Sequence, residues 1–282
     1  MLDRFLIIDI IKNALLEDIN YGDISSNLIP REKTGKAYIT AKQDGIISGI
    51  DIVQETFKFI DNNLEFTPLK KDGDRVLSGD NIASVEGELQ SILKAERVAL
   101  NFLQRMSGIA TKASEYSEKV EGYNVRVVDT RKTTPGLRIL EKYSVKIGGC
   151  FNHRYNLSDA VMIKDNHIIA LGGIKSAVEK ARKEIPHTMK IEVEVSNITE
   201  VLEALDSKVD IIMLDNMGID EMRTAVGIIN NQAVVEASGN ITLENVIDVA
   251  KTGVNIISVG ELTHSIKSLD ISLNIINKQS LL

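Results

Sequence analysis

Residues 190–215 read KIEVEVSNITEVLEALDSKVDIIMLD. Two short apolar runs, KIEVEV and DIIMLD, flank a helical pattern at 198–205. A strand, a helix and a second strand in this order form a unit whose strands lie parallel, because the helix carries the chain back to its starting edge. The rhythm continues on both sides. VRVVD (125–129) and AVMIKD (160–165) precede the quoted stretch, and AVVEAS (233–238) and NIISVG (255–260) follow it. From the second run onward the strands start at Ala160, Lys190, Asp210, Ala233 and Asn255, with spacings of 30, 20, 23 and 22 residues. Helical patterns at 174–185, 219–229 and 243–250 fill the other gaps. The expected fold is therefore α/β, a parallel βα barrel that is closed or nearly closed.

In such a barrel the carboxyl ends of the strands share one rim, and that rim carries the chemistry. In order, those ends carry Arg131 and Lys132, then Lys164, Glu194, Asp215, Ser238 with Gly239, and Gly260. Glu194 and Asp215 are two carboxylates on neighbouring strands. Such a pair is resolved by a shared proton, a basic partner or a hard cation, and two protein carboxylates suit Mg²⁺, which takes the rest of its shell from water and substrate phosphates. Ser238-Gly239-Asn240 and Ser258-Val259-Gly260 put small residues between a strand and the following helix, where backbone N–H groups can receive a phosphate.

The opposite sign of charge is concentrated upstream. Between residues 126 and 167 eight Lys or Arg face four acids, a balance of plus four inside a chain of net charge −7. A local cationic field in an acidic protein attracts a small anion without making the whole surface sticky for nucleic acid. Arg131, Lys132, Arg154 and Lys164 on one rim would repel one another unless an anion lies among them, and arginine forks suit a planar dicarboxylate. His153 could donate to the same ligand or serve an ordinary structural bond, and the same holds for His167. His187, beside Pro186, reads as incidental, while Lys142 and Lys146 read as a solvated helix face.

Cys150 is the only cysteine, which excludes an intrachain disulfide and suits a reduced, cytoplasmic setting; it reads as a small buried residue. The apolar start LIIDII is broken by Asp9 and followed by Lys12 and Glu17, so it reads as an amphipathic helix over 6–18, neither a leader nor a membrane span. Strands are expected at AYITA, in DGIISGI and near 64–66, with a helix around 52–59. KKDGDRVLSGDNIASVEG (70–87) has the turn pattern of a lipoate or biotin carrier but no lysine at its tip, and reads as a structural β element. A long helical pattern over 90–116 links this region to the barrel. Two domains follow: a smaller α+β sandwich over 1–108, rejoined by a last helical stretch in 266–282, and the barrel over 109–265.

DTRKTTPGLR, EKYSVKIGG and NHRYNLSDAVMIKDNH, followed in order by IEVEV, IIMLDN, VEASGNI and SVGELTHS, closely resemble quinolinate phosphoribosyltransferases. With GDISS and ERVALNFLQRMSGIAT the resemblance spans almost the whole chain. It implies transfer of phosphoribosyl from 5-phosphoribosyl 1-pyrophosphate to quinolinate with loss of CO₂, giving nicotinate mononucleotide for NAD biosynthesis, with Mg²⁺ and in a homodimer. It implies that Arg105 of a partner subunit, Arg131, Lys132, His153, Arg154 and Lys164 surround quinolinate and nearby phosphates. Glu194 and Asp215 would serve the ribose and the Mg²⁺-pyrophosphate, and Ser238, Gly239, Gly260 and His264 would lie near the 5-phosphate. Other readings of the same rim are a Schiff-base aldolase using Lys164, the related protein found with molybdate transport genes, which shares the DTRKTTPG run, and a non-catalytic metabolite-binding protein.

Overall fold

The computed structural model describes residues 2–276. Helix α1 (Arg4–Ile19) starts at Asp3, whose carboxylate accepts the Phe5 amide at 3.0 Å, and buries Ile7, Ile11 and Leu15. Strand β1 (Thr34–Ala41) alternates, with Ala37, Ile39 and Ala41 fully buried. There follow β2 (Gly45–Ile46), α2 (Ile50–Ile60), β3 (Glu65–Pro68), β4 (Arg75–Val76), β5 (Asn81–Glu88) and the long helix α3 (Leu89–Lys119). Asp72 accepts the Gly49 and Ile50 amides, both at 2.9 Å, and so satisfies the open N-terminus of α2.

Beyond α3 the chain gives β6 (Arg126–Val128), α4 (Arg138–Ile147), β7 (Val161–Ile163), α5 (Asp165–Leu171), α6 (Ile174–Glu184), β8 (Ile191–Val195), α7 (Ile198–Asp206) and β9 (Ile211–Asp215). It ends with α8 (Ile219–Ile229), β10 (Val234–Ser238), α9 (Val246–Ala250), β11 (Ile256–Ser258), α10 (Glu261–His264) and β12 (Ile271–Ile275). The β and α elements expected from the sequence are present, except in the tail. There Ile271, Leu273 and Ile275 alternate with polar residues, so the expected helix is a strand, which pairs antiparallel with β1 from Ala41↔Ile271 to Ala37↔Ile275. Residues 277–282 of the expected tail lie outside the described residues.

Two compact units result. Among the described residues the first comprises 2–114, 134–149 and 265–276, built on the antiparallel sheet β12-β1-β5-β3 with its core under Ile39, Phe57, Val85 and Leu103. The second comprises 115–133 and 150–264. Its sheet is wholly parallel in the order β6-β11-β10-β9-β8-β7, with a helix following each of β7 to β11 within the unit. No ladder joins β6 to β7 among the described residues; the only extension beyond β6 is a parallel bridge from Val128 to Phe151, so the barrel is incomplete.

The segment 134–149 was expected inside the barrel domain, and the structure groups it with the first unit. Leu140 packs in a cluster with Ile11, Ile52 and Val98, and Tyr143 donates its hydroxyl to Asp72 at 2.7 Å. Gly148 lies so close to α3 that a Cβ there would collide with the Ala110 carbonyl. The same packing corrects the reading of Lys142, which is fully buried rather than solvated, while Lys146 remains exposed.

Candidate active site

The second unit holds a cavity of ≈ 890 Å³ at the carboxyl ends of its strands. Arg131, Lys132, His153, Arg154 and Lys164 line one part of it. Glu194, Asp215, Ser238, Gly239, Gly260 and His264 line the rest. The sheet topology brings them together: His153 and Arg154 follow Phe151, which is bridged in parallel to Val128, and the others lie at or beyond the carboxyl ends of strands that run in the same direction.

At the acidic side, the Lys164 amine is paired with the Glu194 carboxylate. Asp215 accepts the Asn216 side-chain amide at 2.8 Å, and Asn216 in turn accepts from Asn240 at 2.9 Å. Asn216 and Asn240 both have positive φ, 53° and 52°, conformations that Asn tolerates better than most residues. Gly239 between them has φ 91°, and a Cβ there would drive into the Asn216 carboxamide. Gly260 is tight as well: its Cβ would lie 2.9 Å from His264 Nε2 and 3.3 Å from Lys132 Cδ, so a bare backbone keeps that part of the cavity open. The Ser238-Gly239-Asn240 loop does not lead straight into a helix as expected; α9 begins only at Val246, after a turn at 243–245.

The basic side is held from below. Arg154 donates to the Ala160 carbonyl at 2.9 Å and to Met162 sulfur at 3.4 Å. Burial, and next the charge of Arg131, push its guanidinium below the usual arginine range. Two mutually repelling guanidiniums beside one cavity are what an anion would relieve. Asp129, fully buried, accepts the His153 amide at 2.9 Å and the Asn152 side chain at 2.6 Å. His153 Nδ1 accepts the Arg154 amide at 2.7 Å, while Nε2 lies 3.5 Å from Glu192 and 3.4 Å from Glu236. Burial pushes the pKa of this imidazole down, but the two carboxylates outweigh it and raise it, which favours a hydrogen on the nitrogen that faces them, Nε2. With Nδ1 filled by the amide, the retained proton lies on the Nε2 side. Both ring nitrogens are therefore engaged within the protein, and His153 meets a cavity ligand only by giving up one of these partners.

Glu192 and Glu236 are 1% exposed and lie inside β8 and β10 rather than at the strand ends that the sequence marks as the rim. Strand alternation was the available signal. Glu192 shares a face with Glu194, and Glu236 with Ser238, so both point to the side that carries the site. Cys150 is buried, and burial foremost, then Asp129, pushes its thiol up to about 12. His167 is exposed, and its Nδ1 accepts the Lys164 amide at 3.0 Å, a structural bond at the start of α5. Arg105 does not line the cavity. It belongs to the first unit, where it donates to the buried Glu141 at 2.9 and 2.6 Å and to Thr134 Oγ1 at 2.6 Å.

Glu194 and Asp215, both partly exposed on the same cavity, offer hard oxygen donors of the kind and number that Mg²⁺ accepts alongside substrate phosphates, so the donor set fits that ion. No helix among the described residues is long and apolar enough to cross a membrane.

The family models for the N-terminal and C-terminal domains of quinolinate phosphoribosyl transferase match residues 23–107 and 109–274. A Synechocystis protein named as a probable nicotinate-nucleotide pyrophosphorylase (carboxylating) is 46% identical over 265 residues, covering 93% of this chain and 90% of its own. A Bacillus subtilis protein of the same name is 45% identical over 266 residues, covering 94% and 92%. The solved nicotinate-nucleotide pyrophosphorylase of Francisella tularensis has a TM-score of 0.94 at 38% identity, covering 98% of each chain. Human nicotinic acid phosphoribosyltransferase, at 13% identity and a TM-score of 0.62, shares the fold alone.

Proposed function

The chain belongs to the quinolinate phosphoribosyltransferase family, and on that premise we propose how its cavity carries out the family's reaction. The enzyme transfers phosphoribosyl from 5-phosphoribosyl 1-pyrophosphate to quinolinate, releasing pyrophosphate and CO₂ and forming nicotinate mononucleotide. The supporting observation is the pairing of opposite charges in one cavity: Arg131, Lys132 and Arg154 on one side, Glu194 and Asp215 on the other.

The basic groups bind the two carboxylates of quinolinate and present its ring nitrogen to C1 of the ribose. As the bond from C1 to pyrophosphate breaks, positive charge develops on the ribose, and Glu194 and Asp215 face it with negative charge. The ring nitrogen supplies the electron pair for the new bond and becomes cationic. It then draws in the electron pair left at C2 when CO₂ departs, and a proton from solvent fills that position. A nucleophile with its own lone pair needs no general base, which agrees with the engagement of both His153 nitrogens. The Lys164 pairing with Glu194 also leaves the Schiff-base reading without an observation in its favour.

Mg²⁺ held by Glu194 and Asp215 would supply charge neutralisation for pyrophosphate. Ser238, Gly239, Gly260 and His264 form the part of the cavity assigned to the 5-phosphate. Arg105 is assigned to the active site of a partner subunit, which makes a homodimer the smallest active form, working in the cytoplasm on small anionic substrates without nucleic acid or membrane. The test is release of pyrophosphate and CO₂ by the purified protein with the donor and Mg²⁺, comparing quinolinate with nicotinate. Release of both from quinolinate alone is expected. Pyrophosphate release with another acceptor and none with quinolinate would overturn the reading of the basic side.

A further inference from the structure

Two carboxylates at 1% exposure are a liability for a protein core. A buried charge left incompletely paired is costly, and apolar residues of similar volume are often as stable or more so. Each of these glutamates turns one oxygen toward His153 Nε2, at 3.5 Å from Glu192 and 3.4 Å from Glu236. The other oxygen of each, Oε1, is buried and accepts no hydrogen bond from any of the described residues. Packing alone does not account for this arrangement.

What the arrangement does is orient one ring. Glu192 comes from β8 and Glu236 from β10, so the imidazole is held between two rigid strands. With hydrogen directed to Nε2, the bare Nδ1 is turned to the Arg154 amide at 2.7 Å. The neighbouring His153 amide is fixed by Asp129 at 2.9 Å. The loop at 153–154 is thus tied down on both sides just where Arg154 leaves it to line the cavity. A guanidinium fork meets a planar carboxylate with two bonds only within a narrow range of angles, so its backbone anchor sets how well it binds.

We propose that Glu192 and Glu236 are positioning residues for acceptor binding: through His153 they fix the imidazole tautomer that anchors the Arg154 backbone. The role rests on the quinolinate reaction assigned above. It predicts selectivity between the two substrates, because Glu194 and Asp215, the protein carboxylates assigned to the donor side, are not part of this linkage.

The test uses the full-length protein with Glu192→Gln, Glu236→Gln and the double substitution, each nearly isosteric. The expected result is a rise of about tenfold or more in KM for quinolinate, equivalent to one 1.4 kcal/mol step. KM for the phosphoribosyl donor should stay within about twofold, and the thermal midpoint should stay level or rise. With only four histidines in the chain, nitrogen NMR of the imidazoles reads the tautomer directly. His153 should carry hydrogen on Nε2 in the wild type and shift toward the other tautomer in the double variant.

An unchanged tautomer and unchanged quinolinate KM in a folded double variant would overturn the proposal. So would an equal rise in both KM values with a falling midpoint, which is the signature of a purely structural role. A transition metal bound at one per chain and lost in these variants would overturn it too, since the three groups would then be ligands. Absence of quinolinate turnover in the wild type would instead overturn the assigned reaction, and the imidazole spectrum would still judge the tautomer.

Discussion

Replacing Gly239 with alanine tests how the phosphoribosyl side of the cavity is held together. Two separate costs are built into that position. The first is conformational: φ is 91°, and an L-residue with positive φ loses about 1–2 kcal/mol. The second is steric: the new Cβ would occupy the place of the Asn216 carboxamide, at 2.9 Å from its Nδ2 and closer still to its oxygen. Asn216 is a flexible side chain and would swing away, giving up its 2.8 Å bond to Asp215 and its 2.9 Å bond from Asn240. At about 0.5–1.5 kcal/mol each, these bonds make the steric part about 1–3 kcal/mol. Gly253 provides an internal control, because it also has φ 91° but an added Cβ meets only Val226, at 3.4 Å. Gly253→Ala should therefore show the conformational cost alone. The excess for Gly239→Ala should appear as roughly 3–10 °C of additional loss in thermal midpoint. In steady-state assays Gly239→Ala should also raise KM for the phosphoribosyl donor about tenfold, as Asp215 loses its orienting partner, with quinolinate KM little changed. Equal midpoints for the two variants, with normal donor KM in both, would refute the reasoning.

Arg131→Lys keeps the charge but loses the two-pronged fork, and kcat/KM for quinolinate should fall about ten- to a hundredfold, measured at saturating donor; near-normal kinetics would remove Arg131 from direct contact with substrate. The Glu194→Ala, Asp215→Ala double variant should lose turnover together with its response to Mg²⁺ titration, and normal turnover would end the metal assignment. Cys150, its thiol pushed up to about 12, stays in the neutral form as pH rises through the ordinary thiol range. Iodoacetamide should therefore leave native protein unlabelled even at mildly alkaline pH and label it fully in denaturant, as mass spectrometry would show. Rapid labelling of the native protein would mean that the buried position is wrong.

The parallel sheet and its rim were legible because repeated apolar runs fix strand direction, and direction places Glu194, Asp215 and Ser238 at one end. Residues inside the strands were harder to see. A glutamate in KIEVEV looks like ordinary alternation until the face shared by Glu192 and Glu194 is known to look into the site. Helix α4 hid its inward side for a different reason: it buries Glu141, Lys142 and Ser144 beside Leu140 and Val145, so hydrophobicity does not mark the buried face. The Arg105–Glu141 pair joins residues 36 apart with no local pattern to announce it. The placement of 134–149 depends on such long-range contacts, which is why the βα rhythm could not separate this segment from the barrel.

The strand pairing between β1 and β12 has a consequence for how the protein is made. Ala41 leaves the ribosome long before its partner Ile271 exists. At about 5–20 residues per second the interval is on the order of ten to fifty seconds. Throughout that time one edge of β1 has its backbone donors and acceptors unmatched, open to pairing with another nascent chain. The residues of the second unit, 115–133 and 150–264, are all synthesised within the interval. The order of biogenesis is therefore inverted relative to the sequence: the catalytic unit can acquire its structure first, and the sheet that contains β1 becomes whole only after residues 271–275 have been made. Chaperone dependence and co-translational aggregation should accordingly track the vacant β1 edge rather than the barrel.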